Sequence, residues 1–261
     1  MKNMLFDSIV YGPIHSRRLG ISLGVNLLPT TSKRCSFDCI YCECGFNPSA
    51  DAEHGVMPTL AQVQDALRQA LSSQTTTPDV ITFSGNGEPT IHPDFIEIIR
   101  HTCALRDQYC PSAKVSVLSN STQLYRPSVV EALRLCDNRI LKLDSAIDAT
   151  MRLIDQPVNP HLTVRDIVTS LQQFDGDFTL QTCFLRGQVP CSDSIIHVDN
   201  TTPDELSAWY KVVHELHPKQ VMIYVIDRAT PVQSLEKISP EQMQSIAAPL
   251  REEGIDVIVS A

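Results

Sequence analysis

Short apolar runs of strand length alternate with amphipathic helical patterns along most of this 261-residue chain. The expected strands are Ile21–Leu27, Val80–Phe83, Lys114–Leu118, Arg139–Leu143, Phe178–Phe184, Val221–Ile226 and Asp256–Val259. A strand followed by a helix and then by another strand predicts a right-handed parallel βαβ unit. About six or seven such units favour an α/β fold arranged as an open or closed barrel over a flat nucleotide-binding sheet, although spacing alone does not separate the two.

Three helices are predicted from apolar residues that recur on one face. The first follows Thr59, the second follows "HPD", and the third follows "TTPDEL", where Pro203 suits a first helical turn. Their apolar faces comprise Leu60, Val63, Leu67 and Leu71; Phe95, Ile98, Ile99 and Thr102; and Leu206, Trp209, Tyr210 and Val213. No linker-like or repeated segment interrupts the sequence pattern. One domain, residues 1–261, is therefore predicted, with residues 1–20 as an N-terminal extension packed near the active site.

The composition excludes some classes of protein. Hydrophobic residues make up 43% and charged residues 20% of the chain, which is typical of a globular protein. No apolar run approaches the roughly 18 to 20 residues that span a bilayer, and Asp7 and Ser8 interrupt the apolar N-terminus, which argues against a signal peptide. The net charge of −9 argues against an extended nucleic-acid surface without excluding a nucleic-acid substrate. We therefore expect a soluble cytoplasmic protein without a membrane partner.

Four cysteines lie in the segment "CSFDCIYCECG", directly after the first expected strand. In parallel barrels the active site lies at the carboxyl ends of the strands. The spacing CxxxCxxC of Cys35, Cys39 and Cys42 suits three irons of a [4Fe–4S] cluster, and leaves the fourth iron for a substrate amine and carboxylate. Two other interpretations use the same thiols: a structural zinc site, which usually has two separated ligand pairs, and a closed cluster with Cys44 as its fourth ligand.

A glycine-rich segment, "TFSGNGEPT" at residues 82–90, ends the second expected strand. Glycines at a strand end let a polar ligand group approach the backbone N–H and C=O groups closely. Taken alone, the segment is more typical of an ordinary turn from a strand to a helix. Its position one strand after the cysteines favours a ligand site.

Together the two segments resemble the signature of the radical S-adenosylmethionine (SAM) superfamily, and the aromatic Tyr41 before the third cysteine strengthens the resemblance. It implies a partial or near-complete (β/α)6-type barrel with parallel strands. It also implies that Cys35, Cys39 and Cys42 hold a [4Fe–4S] cluster whose fourth iron is chelated by SAM, and that Tyr41 contacts the adenine. The residues expected at the amino, carboxylate and ribose groups of SAM are Gly85, Asn86, Gly87, Glu88, Pro89, Ser119, Asn120 and Arg186.

The chain departs from the related sequences in two places. Asn86 stands where the family's GGEP segment has its first glycine. The stretch "GPIHSRRLGISLGVNLLP", with "SGNGEPT", resembles the branch that includes the wyosine-base synthases acting on tRNA. Those enzymes bind a second cluster through upstream cysteines, whereas no cysteine precedes Cys35 here. The resemblance therefore implies reductive cleavage of SAM to a 5′-deoxyadenosyl radical, which abstracts hydrogen from a small molecule or modified nucleoside of unknown identity.

Charged residues near the expected site are further candidates. Lys142 and Asp144, in "LKLDS", lie one pleat apart on the same strand face and are either catalytic residues or a structural ion pair. Arg17 and Arg18, with Lys33 and Arg34, form a basic concentration in an acidic chain. They are expected to bind an anionic substrate or an external one-electron donor of the flavodoxin or ferredoxin type, unless they are only solvated surface charges.

Two other functions fit the same sequence features. One is an activase that installs a glycyl radical on a partner protein. The other is a non-catalytic iron–sulfur protein that transfers electrons, which would have a closed cluster and no affinity for SAM.

Overall fold

The computed structural model describes residues 4–16, 20–73, 76–191 and 194–261, the side chain of residue 191 excepted. The chain divides into two compact units. The first unit runs to Ser36 and continues over Asn47–Ile140, and the second comprises Phe37–Phe46 and Leu141–Ala261. The cysteine segment therefore contributes residues to both units.

The first unit is an α/β structure. Its strands are β1 (Val10–Ser16), β2 (Gly20–Val25), β3 (Val80–Phe83) and β4 (Lys114–Ser119). Its helices are α1 (Leu60–Ser73), α2 (Phe95–Tyr109), α3 (Pro127–Leu135) and a short 3₁₀ helix at Pro89–Ile91. Strands β2, β3 and β4 are parallel neighbours, and β1 is antiparallel to β2. Strand β1 was not predicted, because Gly12 and Pro13 interrupt its pattern.

The second unit is also α/β. Strand β5 (Asn138–Lys142) enters it from the first unit, and it continues with β6 (Thr179–Cys191), β7 (Ser194–Asp199), β8 (Gln220–Val225), β9 (Leu235–Lys237) and β10 (Val257–Ser260). Its helices are α4 (Asp148–Asp155), α5 (Val164–Leu171), α6 (Pro203–Leu216), α7 (Pro240–Glu252) and a 3₁₀ helix at Gln172–Phe174. Strands β6, β8 and β10 are parallel neighbours, while β7 and β9 pair antiparallel with the distal half of β6.

The predicted fold class, α/β with mostly parallel strands, is confirmed. The three predicted helices form, and most of their predicted faces are buried: Val63, Leu67 and Leu71; Phe95, Ile98, Ile99 and Thr102; and Trp209 and Val213. One strand prediction was too short, because β6 does not end at Phe184 but extends to Cys191, where it pairs with β7. Within the described part of the chain, no helix has the length and apolar character needed to cross a membrane.

Candidate active site

The part of the cysteine segment that belongs to the second unit, residues 37–46, is held by the C-terminal end of α4. The backbone N–H of Asp38 donates to the carbonyl of Asp155 at 2.9 Å, and that of Ile40 donates to the carbonyl of Ile154 at 2.9 Å. Cys39 is buried and Cys42 is half-buried, and the two form the ends of a turn in which the N–H of Cys42 donates to the Cys39 carbonyl. Backbone hydrogen bonds to the end of α4 therefore hold the loop that carries Cys39 and Cys42.

In the first unit, the glycine-rich segment pairs with the residue that precedes Cys35. The N–H of Arg34 donates to the Asn86 carbonyl at 2.8 Å, and the N–H of Glu88 donates to the Arg34 carbonyl at 3.2 Å. Gly87 has φ +140°, and a Cβ there would lie 1.9 Å from the Arg34 oxygen. The close approach that makes glycine necessary at position 87 is thus with the chain's own backbone, whereas the sequence suggested room for a ligand.

Asn86, the residue that departs from the family pattern, is fully buried. Its side chain accepts a hydrogen bond from the N–H of Phe6 at 2.8 Å and donates to the carbonyls of Phe6 and Pro29, each at 2.8 Å. The ring of Phe6 stacks on Tyr11, whose hydroxyl lies 2.9 Å from that of Ser84. Asn86 therefore fastens the N-terminal segment beside the glycine-rich turn.

Glu88 joins the turn after β3 to the end of β4. One carboxylate oxygen accepts hydrogen bonds from the N–H and hydroxyl of Thr90 and from the hydroxyl of Ser119, and the other accepts from the N–H of Asn120 at 2.6 Å. Burial raises the pKa of Glu88, and these donors oppose the rise. The carboxylate is 2% exposed, so it organises two strand ends from inside the unit.

Asn120 continues this network to the first cysteine. Its amide nitrogen donates to the sulfur of Cys35 at 3.5 Å and to the hydroxyl of Ser36 at 2.9 Å. Its amide oxygen accepts from the N–H and hydroxyl of Thr122. The predicted residues Ser119 and Asn120 are thus connected through Glu88 to the predicted glycine-rich segment.

In the second unit, Lys142 lies at the centre of a buried polar cluster. Its ammonium lies 2.9 Å from the sulfur of Cys39, 2.6 Å from a carboxylate oxygen of Asp155 and 3.1 Å from one of Asp144. The Tyr41 hydroxyl donates to Asp144 at 2.5 Å, and the N–H of Cys183 donates to the other Asp144 oxygen at 2.9 Å. The structure therefore brings Lys142 and Asp144 together, as predicted, but as partners of Cys39 and Tyr41.

The protonation of this cluster is dominated by burial and by mutual charges. Burial lowers the pKa of Lys142, but Asp144 and Asp155 outweigh it and raise that pKa well above its usual value. Burial raises the pKa of Tyr41, and the neighbouring Asp144 adds to the rise. Burial and Asp144 also raise the pKa of Asp155 to about 7, against the lowering effect of Lys142. Lys142 and Tyr41 are accordingly both protonated at neutral pH.

Sequence reasoning missed Asp155 and Tyr224 as members of this cluster. Tyr224, on β8, donates from its hydroxyl to that of Tyr41 at 3.4 Å. Asp155 is the last residue of α4, where a negative charge opposes the helix dipole. Because α4 was not predicted, the sequence carried no signal that Asp155 has a positively charged partner.

The remaining predicted basic residues have mixed outcomes. The Arg186 guanidinium donates to Gln242 at 2.7 Å and to Thr201 at 3.1 Å, and it lies 3.6 Å from Asp199. Arg17 and Arg18 lie outside the described residues. Lys33 is only 3% exposed, so its predicted place in a basic docking surface is wrong, whereas Arg34 is exposed.

A cavity of about 550 Å³ opens in the second unit next to the cysteine segment. Phe46, two residues after Cys44, lines it together with Val189, Pro190, Pro231, Val232, Gln156, Gln233 and Ser234. The N–H of Val232 donates to the Ile40 carbonyl, which ties one wall to the cysteine segment. The lining combines apolar groups with uncharged amide and hydroxyl groups, a composition common in small-molecule sites.

The surroundings of the sulfur atoms fit an iron–sulfur cluster. Cys35, Cys39 and Cys42 carry thiols, and the sulfurs of Cys35 and Cys39 accept hydrogen bonds from Asn120 and Lys142. Such donors stabilise the thiolate that iron requires. Within the described ranges, no three His, Cys, Asp or Glu side chains converge as ligands of a single ion. A four-iron cluster needs no such convergence, because each cysteine binds a different iron.

Comparisons with solved structures show the same fold. SuiB from Streptococcus suis, in a structure bound to S-adenosylmethionine, aligns over 91% of this chain and 50% of its own, with a TM-score of 0.64 and 12% identity. A radical SAM methyltransferase from Sphaerobacter thermophilus aligns over 91% of this chain and 65% of its own, with a TM-score of 0.60 and 15% identity. Proteins with different names thus share the fold, so the fold alone does not assign this chain to one group among them.

Sequence comparisons identify the family. A "UPF0026 protein" of Helicobacter pylori is 32% identical over 181 residues, which are 69% of this chain and 57% of that protein. The curated relatives are longer, and the chain spans 33% to 60% of their lengths. The model of the radical SAM superfamily matches residues 30–175, which include the cysteine segment, the glycine-rich turn and α4. This chain belongs to the radical SAM superfamily.

Proposed function

We propose that this chain is an enzyme that cleaves SAM reductively at a [4Fe–4S] cluster and removes a hydrogen atom from a substrate. The carrying observation is that CxxxCxxC lies within the family match and that the sulfurs of Cys35 and Cys39 each accept a hydrogen bond from a side chain at a strand end. When bound, the cluster and SAM would supply the electron and the 5′-deoxyadenosyl radical.

The residues of the chain have assigned roles in this proposal. Cys35, Cys39 and Cys42 hold the cluster, and Tyr41 contacts the adenine. Gly85 and Gly87 are partly exposed, whereas Asn86, Glu88 and Pro89 are buried. We therefore assign the SAM amino group to the backbone of the two glycines, and a positioning role to the buried residues.

The polar residues farther along the chain divide between ligand contact and support. Ser119 and Asn120 lie at the end of β4 and are assigned to the carboxylate or ribose of SAM. Lys142 and Asp144 are 10% and 0% exposed in their side chains and contact Cys39 and Tyr41, so we assign them positioning roles instead of substrate contact. Arg186 stays a candidate for the SAM carboxylate or a substrate anion, provided that it leaves Gln242 and Thr201.

The uncharged cavity beside the cysteine segment supports our proposal for the substrate class. Its apolar and amide-lined walls favour a small molecule or a modified nucleoside without a charged group at this position. The similarity of the N-terminal stretch to wyosine-base synthases supports a nucleoside.

The electron would come from an external donor of the flavodoxin or ferredoxin type. Arg34 is exposed directly before Cys35 and is the described residue that we assign to docking this donor. Reduced iron–sulfur chemistry of this kind fits a cytoplasmic location.

The proposal is tested by anaerobic turnover of SAM. The protein is reconstituted with iron and sulfide, reduced with dithionite and incubated with SAM, and 5′-deoxyadenosine is measured by mass spectrometry. We expect 5′-deoxyadenosine from the wild type and from Cys44→Ala, and none from Cys39→Ala. Cys44→Ala is the matched control because Cys44 is a buried cysteine of the same segment.

Each outcome decides between functions. Loss of the cluster in both cysteine variants would favour a closed cluster with Cys44 as fourth ligand. A fully loaded wild type that neither binds nor cleaves SAM would contradict the proposal and favour the electron-transfer protein.

A further inference from the structure

We propose that Lys142 sets the reduction potential of the cluster through its hydrogen bond to Cys39. This inference rests on the proposed function, because it takes Cys39 as a cluster ligand. It assigns Lys142 a tuning role that the family match does not supply.

The position of the Lys142 ammonium is determined by three acceptors. Lys142 is the last residue of β5, and its Nζ lies within 3.1 Å of the sulfur of Cys39 and of oxygens of Asp155 and Asp144. An ammonium group has three N–H donors, and these three acceptors match that number. The rings of Phe37 and Tyr41 lie 4.9 Å and 5.1 Å from the same nitrogen.

The acceptors are themselves fixed. Asp155 follows Ile154 at the end of α4, whose backbone carbonyls accept hydrogen bonds from the cysteine segment. Asp144 accepts from the Tyr41 hydroxyl and from the N–H of Cys183. The Asp144 carboxylate therefore cannot turn away from the ammonium without breaking hydrogen bonds of its own, and the backbone of Asp155 is held by the cysteine segment.

The sign of the effect follows from electrostatics. Reduction adds negative charge to the cluster and its thiolates, and a buried positive charge with a hydrogen bond to one thiolate stabilises the reduced form. The donor at Cys35 is the neutral amide of Asn120, and its nitrogen lies farther from the sulfur, at 3.5 Å, than the Lys142 nitrogen lies from the Cys39 sulfur, at 2.9 Å. Lys142 is thus the stronger of the two donors, and its removal should make the potential more negative.

The experiment measures the midpoint potential of the reconstituted protein at pH 8 by a redox titration followed by electron paramagnetic resonance. For Lys142→Gln we expect at least a tenfold fall in the equilibrium constant for reduction, which is about 59 mV for one electron. Lys142→Arg keeps the charge and should change the constant by less than threefold. Lys219→Gln is the charge control, because Lys219 is an exposed lysine paired with Asp177.

A second variant keeps the inference testable if Lys142→Gln does not fold. Asp155→Asn removes a negative charge beside Lys142 and retains an acceptor oxygen, so the potential should shift in the opposite direction, to a less negative value. Iron and sulfide content and the circular dichroism melting curve are measured for every variant.

The outcomes separate this inference from the proposed function. A loaded Lys142→Gln variant, or a loaded Asp155→Asn variant, with the potential of the wild type would overturn the role of Lys142 and leave the radical SAM assignment intact. A wild type that binds no [4Fe–4S] cluster would overturn the proposed function itself.

Discussion

At the scale of single residues, the hydrogen bonds of Asn86 explain why asparagine replaces the first glycine of the family's GGEP segment. Glycine at this position would serve only the turn, whereas the asparagine amide satisfies both backbone polar groups of Phe6 and the carbonyl of Pro29. The side chain is fully buried, so these bonds form away from water. Asn86 therefore stabilises the N-terminal segment in addition to shaping the turn.

Replacing Asn86 with glycine should release the N-terminal segment. Three hydrogen bonds are lost, each with a net contribution of about 1 kcal/mol, so we expect the free energy of unfolding to fall by roughly 2 to 3 kcal/mol. The measurement is chemical denaturation combined with limited proteolysis around Phe6. Asn159→Gly, the same change at an exposed position, is the control. Equal stability of the two variants, with an equally resistant N-terminus, would contradict this role.

At the scale of elements, the turn after β3 and the residue before Cys35 form one backbone unit. Arg34 and Gly87 are paired as an isolated bridge, and their hydrogen bonds join the turn to the start of the cysteine segment. The position of Cys35 therefore depends on Gly87, which lies 52 positions later in the sequence (87 − 35 = 52).

Gly87→Val should lower both stability and iron content. The new Cβ would lie 1.9 Å from the Arg34 carbonyl oxygen, so the bridge must open and Cys35 must move. Gly254→Val is the matched control, because Gly254 also has a positive φ, +86°, but has open space around its missing Cβ. Positive φ alone costs about 1 to 3 kcal/mol for a side chain of this kind. Thermal melting and iron analysis after reconstitution should show a greater loss in Gly87→Val, and equal iron content in both variants would refute the link between the turn and Cys35.

Element prediction succeeded where the pattern is local. Strand β3 has the predicted bounds, Val80–Phe83, because three apolar residues and the β-branched Thr82 between turn signals define a buried strand. Strand β7 was missed because its residues are mostly exposed and it forms only by pairing with the extended end of β6. Pairing with a distant partner leaves no periodic signal of its own.

At the scale of the whole molecule, the excess of acidic residues and the burial of some carboxylates make the free energy of unfolding depend on pH. The chain has 30 acidic and 21 basic residues, and it buries carboxylates at Glu88 and Asp155. The pKa of Asp155 is about 7 in the folded protein and close to its ordinary value of about 3.9 in the unfolded chain. Between these values the folded state binds one more proton than the unfolded state, so stability is lost as pH rises towards 7.

Asp155→Asn should remove this contribution to the pH dependence. For the metal-free protein we expect the free energy of unfolding between pH 5 and pH 7 to fall with pH more steeply in the wild type than in the variant, by roughly 1.4 kcal/mol per pH unit. Urea denaturation at a series of pH values measures the difference. Glu53→Gln, which removes one exposed negative charge, is the control. Parallel pH profiles for the wild type and Asp155→Asn would disprove the assignment.

The α/β class, the spacing of Cys35, Cys39 and Cys42, and membership of the radical SAM superfamily can all be read from the sequence, because periodicity and motif spacing are properties of neighbouring residues. The tertiary structure alone decided that Lys33 is buried and that Lys142 contacts Cys39, 103 positions away, and Asp155. Such contacts arise when separate elements pack and exclude water, and packing determines which charges lose their solvent and must find a partner. The strand-end residues could therefore be named from the sequence, but their partners and protonation could not.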